Sequence, residues 1–192
     1  MTQTNRSSIG KLLLILTLSF LAIGGAYYYH TQHRPVFWMQ GPISEYDSAR
    51  DKQEILQLFK TDLYWLSANP EYDAAYMLDN RAPGGDSRHA GQMQIKVLRD
   101  NDAFVGFVAY YKKTADEGFL NFVCVKPEMR GKHYAEKLMK YAEDDFRAQG
   151  VHRIKLLTRT INHRARALYT RMGYTVTSID EVGGFVYYTK AL

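Results

Sequence analysis

The chain has 192 residues, with 25 Lys and Arg against 20 Asp and Glu and a formal net charge of +5. This length suits one domain of about 150 residues with a single sizeable core, plus an extension. Cys124 is the only cysteine, which excludes an intrachain disulfide and a multi-cysteine metal site. The six histidines show no paired ligand spacing on a predicted helix, so no metal is expected.

Residues 12–29 carry no charge and are flanked by Arg6 and Lys11 on one side and His30, His33 and Arg34 on the other. The stretch is long enough to cross a bilayer, and its Leu, Ile and Phe residues sum to about −4 kcal/mol on an insertion scale. Tyr27, Tyr28 and Tyr29, then Phe37 and Trp38, suit an interfacial aromatic belt. The first expectation is a single-pass transmembrane helix within an N-terminal segment, residues 1–30. A cleavable signal peptide is the rival, because Gly24, Gly25 and Ala26 follow the most apolar part. A buried core helix ranks last, since the stretch is apolar all round.

Residues 31–42 read as a linker running into a first strand near 36–40, with Pro35 and Pro42 at its limits. Residues 43–192 then form the folded domain. Ile55, Leu58, Phe59 and Leu63 recur at helical spacing across 47–66, and Asn69-Pro70 ends that helix. A second helix is expected over 71–80, stopping before the loop Ala82-Pro83-Gly84-Gly85-Asp86. Residues 92–98 and 103–112 read as paired strands around Asp100-Asn101-Asp102. A buried strand follows from Gly118 to Val125, stopped by Pro127. Ala135, Leu138, Met139, Ala142 and Phe146 form the apolar stripe of a helix closed by Gly150. Further strands are expected at 152–158, 174–179 and 185–189, with a helix between the first two carrying Ala165, Leu168, Tyr169 and Met172 on one face.

Two segments carry the chemistry. Val125-Lys126-Pro127-Glu128-Met129-Arg130-Gly131-Lys132-His133-Tyr134-Ala135 ends a strand and opens a helix. The backbone N–H groups of Arg130, Gly131, Lys132, His133, Tyr134 and Ala135 are there the orphan donors of a helix start, which favour an anion, and Gly131 allows a close approach. The second segment runs Asn162-His163-Arg164-Ala165-Arg166-Ala167-Leu168-Tyr169-Thr170-Arg171-Met172-Gly173-Tyr174. Residues 126–166 hold eleven basic and five acidic side chains, a local excess that suits a polyanionic ligand. Interleaved Glu136, Glu143, Asp144 and Asp145, and the lack of a recognisable nucleic-acid module, argue against nucleic acid. Cys124, flanked by Val123 and Val125, reads as a small buried hydrophobe.

Together these segments resemble the GCN5-related N-acetyltransferases. Arg130, His133 and Ala135 match a (Gln or Arg)-x-x-Gly-x-(Gly or Ala) motif, with His133 standing where that family usually has glycine. Asn162, Ala165, Leu168, Tyr169, Gly173 and Tyr174 match its second motif intact. The resemblance covers 36–192 and implies an α/β (α+β) three-layer fold with a mixed central sheet of about six to seven strands flanked by helices. It implies acetyl-CoA as co-substrate and an amine-bearing small molecule, peptide or protein as acceptor. Within it, the N–H of Val123 polarises the acetyl carbonyl, Val125 pairs with the pantetheine arm, residues Arg130 to Ala135 hold the diphosphate, Asn162 bonds the pantetheine or the loop beneath it, and Tyr169 protonates the leaving thiolate.

The general base is missing. Many relatives place a Glu on the strand before the first motif, whereas here the face shared with Val123 is expected to carry Phe119 and Asn121, neither a proton acceptor. A water ordered by Asn121, or Asp116 or Glu117 at the preceding turn, would have to serve. Acceptor specificity is expected in the first helices and last hairpin, where Tyr46, Tyr64, Trp65, Tyr76, Tyr187 and Tyr188 suggest an aromatic-rich pocket. Because acetyl-CoA is cytosolic, the domain is expected on the cytosolic side of the membrane, against a weak charge bias for the opposite orientation. The alternative is a catalytically inactive acyl-CoA-binding or scaffolding module at a membrane. A basic adaptor for a membrane surface or nucleic acid is a third reading.

Overall fold

Alternating apolar runs separated by tight turns pair with their neighbours, and here they build an antiparallel meander that widens into a seven-stranded sheet. The computed structural model describes residues 43–66, 74–78 and 93–192, all within the unit Gly41–Leu192. The expected anchor at 12–29, the linker and strand at 31–42 and the loop at 82–86 lie outside the described residues. Among those described, no helix is long and apolar enough to cross a membrane.

The elements, in chain order, are β1 (Ile43–Glu45), α1 (Ser48–Leu66), α2 (Ala74–Leu78), β2 (Gln94–Asp100), β3 (Ala103–Lys112), β4 (Glu117–Val125), a 3-10 turn (Pro127–Met129), α3 (Tyr134–Ala148), β5 (Arg153–Arg159), α4 (His163–Arg171), β6 (Thr175–Asp180) and β7 (Phe185–Ala191). The sheet order is β1-β2-β3-β4-β5-β7-β6, and every pairing is antiparallel except β4 with β5. That one parallel pair is where the chain crosses over through α3. The first described strand is β1, and of the helix expected over 71–80 the described residues show Ala74–Leu78.

Two apolar clusters cover the two faces of the sheet. Leu138, Met139, Ala142 and Phe146 of α3 pack with Val108, Leu120, Ile154, Leu156, Tyr169 and Tyr188 on one face. Ile55, Leu58 and Phe59 of α1 pack with Val97, Phe107, Phe122 and Cys124 on the other. Helices on both faces of a mixed sheet give three layers. Phe146 is fully buried against Gly118, where an added Cβ would fall on its ring, so α3 sits close over the start of β4.

Strand β4 changes parity part-way along. Ala109 pairs with Phe122 but Tyr110 pairs with Leu120, so Asn121 is the extra residue of a β-bulge, and a bulge shifts the alternation of faces by one. Leu120 and Val123 therefore pack with the α3 cluster, whereas Phe119, Phe122 and Cys124 pack with the α1 cluster. The expectation that Phe119 shares a face with Val123 is wrong for this reason: strict period-2 counting cannot anticipate an inserted residue.

Candidate active site

β4 and β5 pair only over Glu117–Phe119 with Arg153–Lys155. Beyond Phe119 the strands part. Lys126 N–H donates to Val105 O at 2.9 Å, toward β3, so by strand alternation the N–H and C=O groups of Val125 and Val123 point to the opposite edge. Val125 O confirms this direction, accepting from Arg130 Nε at 2.9 Å. The outcome is a stretch of strand edge that faces a gap and has no partner strand there among the described residues.

The gap is a cavity of about 370 Å³. It gathers almost every residue expected from sequence: Asn121, Val123, Val125, Arg130, Gly131, His133, Tyr134, Ala135, Asn162 and Tyr169 all line it. Lys132 does not, and its ammonium lies 3.9 Å from the Met129 sulfur. The cavity also takes Phe122 and Cys124 from the α1 side of the sheet and Leu168 and Tyr169 from the α3 side. It passes through the sheet from one face to the other.

On the α3 side, the 3-10 turn after β4 brings the chain round to the start of α3. Arg130 N–H donates to Pro127 O at 3.3 Å, so Arg130 contributes no free backbone donor. The N–H groups of Gly131, Lys132, His133, Tyr134 and Ala135 donate to no other described residue. Gly131 has φ of 81° and open space where a Cβ would sit. A run of orphan amides at a helix N-terminus, opening on a cavity, fits a diphosphate. Those amides, rather than the Arg130 side chain, would hold it, because that guanidinium is bonded to Val125 O and paired with Asp62.

His133 is the N-cap of α3 and adopts the left-handed conformation, φ 60° and ψ 20°. This explains why glycine is usual there and how histidine is tolerated, since that region costs an L-residue roughly 1–2 kcal/mol. The imidazole does not fill the cleft. It is largely exposed, with Nδ1 3.2 Å from Glu136 Oε1, and Arg171 Nη2 donates to the same oxygen at 2.6 Å. The three side chains tie α3 to α4 at the cavity mouth. The pair with Arg171 and the contact with His133 lower the Glu136 carboxyl against the opposing effect of burial, the largest single influence.

Tyr169 is almost fully buried within a ring cluster, 5.5 Å from Tyr188 and 6.1 Å from Tyr174. Burial raises its phenol above the ordinary value, with a smaller push from Tyr188, so the proton stays on at neutral pH. Asn162 Oδ1 accepts from Ala165 N–H at 3.2 Å and caps α4. That cap sets the first turn of the helix carrying Tyr169 and leaves the Asn162 amide hydrogens as donors. Burial, reinforced by the nearby Asp62 carboxylate, pushes the Cys124 thiol up to about 12, which removes it as a nucleophile.

Asp116 and Glu117 are not in the cavity. Glu117 is held by Lys155 at 2.8 Å and Arg153 at 3.5 Å, and Asp116 lies 3.4 Å from Arg153, at the end where β4 and β5 are still paired. Of the expected pocket aromatics among the described residues, only Trp65 lines the cavity. Tyr64 stacks on Arg159 at 4.1 Å, Tyr188 is core, and the Tyr76 side chain lies outside the described residues. Sequence reasoning missed Asp62 altogether. The signal was present: Asp62 falls three and four residues after Phe59 and Leu58, a carboxylate on the buried stripe of α1.

A family model described as Acetyltransferase (GNAT) family matches residues 52–174. The chain belongs to that family. Solved structures of similar fold include an acetyltransferase from Streptococcus agalactiae 2603 at 20% identity and TM-score 0.60, covering 78% of this chain and 97% of that one. Another is the paia N-acetyltransferase from Thermoplasma acidophilum in complex with coenzyme A, at 16% identity and TM-score 0.61, covering 78% and 98%. A third is the ribosomal-protein-S18-alanine N-acetyltransferase from Escherichia coli, at 18% identity and TM-score 0.57, covering 78% and 92%. At these identities the likeness is one of fold. No curated protein matches the chain in sequence. Within the GNAT fold, the parted β4 and β5 and the amide cradle at the start of α3 form a single cleft.

Proposed function

We propose that this chain is an N-acetyltransferase that moves the acetyl group of acetyl-CoA directly to an amine, with Tyr169 as general acid. The observation that carries the reading is the break between β4 and β5 after Phe119. It turns the N–H groups of Val123 and Val125 toward a cavity that also holds Tyr169 and the orphan amides of Gly131 to Ala135.

In this reading the amide cradle takes the diphosphate, and the Val125 edge pairs with the pantetheine amides as an added strand would. The Val123 N–H stabilises negative charge developing on the carbonyl oxygen. The uncharged amine attacks the carbonyl carbon, a C–N bond forms and the C–S bond breaks. Tyr169 gives its proton to the departing thiolate and regains one from solvent, which has received the proton lost by the amine. A phenol and a thiol have similar basicity in water; burial raises the Tyr169 phenol and keeps it protonated until the thiolate appears, and the same burial raises the basicity of the thiolate it protonates. No carboxylate of β4 faces the cavity, so proton removal from the amine runs through water, with Asn121 at the bulge to order it.

The test is thiol release from acetyl-CoA by the full chain over a panel of amines. Tyr169→Phe is expected to lower turnover by roughly 10²–10⁴-fold with coenzyme A affinity little changed. Unchanged turnover removes Tyr169 from its role. The absence of a β4 carboxylate from the cavity lining favours a second reading, an acyl-CoA-binding or scaffolding module, which predicts coenzyme A binding with no turnover on any amine. Residues 12–29, read from their sequence as an anchor, would tether the domain at the cytosolic face of a membrane; recovery of the full chain in the soluble fraction would remove that part of the proposal.

A further inference from the structure

The geometry points to Asp62 as the anchor for the ammonium group of a cationic acceptor, on the α1 side of the passage between β4 and β5. This rests on the reading of the cavity as an acetyltransferase site and names the class of acceptor it takes, one that carries an ammonium for Asp62 besides the uncharged amine that attacks.

Asp62 lines the cavity although its side chain is only 12% exposed. A carboxylate so far from water must be compensated by cations or donors. Its Oδ2 receives both Arg130 Nη2 and, at 3.8 Å, Cys124 Sγ, and no described residue donates to Oδ1. An ionised carboxylate has acceptor capacity on both oxygens, so half of this one is left for a ligand. Arg130 is meanwhile held by a second bond, Nε to Val125 O at 2.9 Å. An ammonium arriving at Oδ1 shares the carboxylate with Arg130 and need not expel it.

The walls around Asp62 fit an amine on an apolar chain. Leu66, Phe122 and Cys124 line the same end of the cavity. Trp65, three residues further along α1, adds an indole, whose face attracts cations. That indole is held edge-to-face by Tyr64 at 5.0 Å. Arg159 stacks on Tyr64 at 4.1 Å and donates to Tyr64 O at 2.6 Å, tying the end of α1 to β5. Asp62 and Trp65 are thereby fixed relative to the gap, on the sheet face opposite the diphosphate cradle. The donor thus enters from the α3 side and the acceptor from the α1 side, and they meet at the bulge.

Calorimetric titration of the full chain with butylamine, at neutral pH and with and without coenzyme A, tests this, with butanol as the uncharged analogue. The wild type is expected to bind butylamine and not butanol. Asp62→Asn should weaken butylamine by about tenfold or more while leaving coenzyme A affinity within about threefold. Arg130→Gln should tighten butylamine, because the carboxylate then has one claimant fewer; simple loss of packing would weaken it in both variants. Undetectable butylamine binding by the wild type, equal binding by Asp62→Asn, or weakening by Arg130→Gln would each overturn the proposal. Binding through Asp62 by a chain that does not bind coenzyme A would keep the anchor and remove the acetyltransferase reading.

Discussion

The two ends of β4 are built on opposite principles. At its start, Glu117 to Phe119 is hydrogen-bonded to strands on both sides, Gly118 lies under Phe146, and Glu117 is ion-paired to Lys155 and Arg153. At its end, β3 still holds one edge while the other faces a cavity. The bulge at Asn121 separates the two regimes. The comparison teaches that one strand can be fully satisfied structure for a few residues and an open ligand edge for the next few, provided the closed end fixes the position of the open one.

The largest effect should come from breaking the closed end. Phe146→Ala removes a ring packed on β4 and is expected to cost about 3–5 kcal/mol in denaturant titration, with coenzyme A affinity of the remaining folded protein nearly unchanged. A strong loss of affinity at full stability would show that the two ends are not separable in this way. Alkali should act next. Burial pushes the Cys124 thiol up to about 12 in the fold from its ordinary 9.0, so the folded state holds this proton more tightly. Its contribution is complete below about pH 9 and is lost as pH rises toward 12. Stability should therefore fall across that window, and Cys124→Ala should flatten the fall.

Two variants at the open end sharpen the contrast with smaller effects. Asn162→Ala deletes the cap of α4 and is expected to cost about 1 kcal/mol, with turnover reduced further because the helix carrying Tyr169 loses its fixed first turn. His133→Gly relieves a left-handed residue and should stabilise the chain by up to about 1 kcal/mol, read as a rise in Tm. If coenzyme A binding changes more than stability in this variant, the imidazole contributes to the ligand as well as to the loop.

Most elements were legible because their patterns are local. The α3 stripe and the α4 motif each place the same residues in the core or the cavity that their spacing predicts. What escaped was non-local or subtractive. The parity change at Asn121 depends on pairing with β3, so it was invisible in β4 alone and put Phe119 on the wrong face. Asp116 and Glu117 stood near the site in sequence, but their cations come from β5. Asp62 was legible as an acid on an apolar stripe, yet its importance depends on Arg130, 68 positions later.

The unpaired edge of β4 also bears on how the protein survives at high concentration. An exposed strand edge normally invites a passing strand from another molecule, the first step of aggregation. Here the vacant edge is sunk inside the fold, with α1 on one side and the α3–α4 layer on the other, and Arg130 occupies the carbonyl of Val125. An edge placed between two layers is open to a single extended chain, as a ligand can be, and is harder for a neighbour's sheet to approach than an edge on the rim.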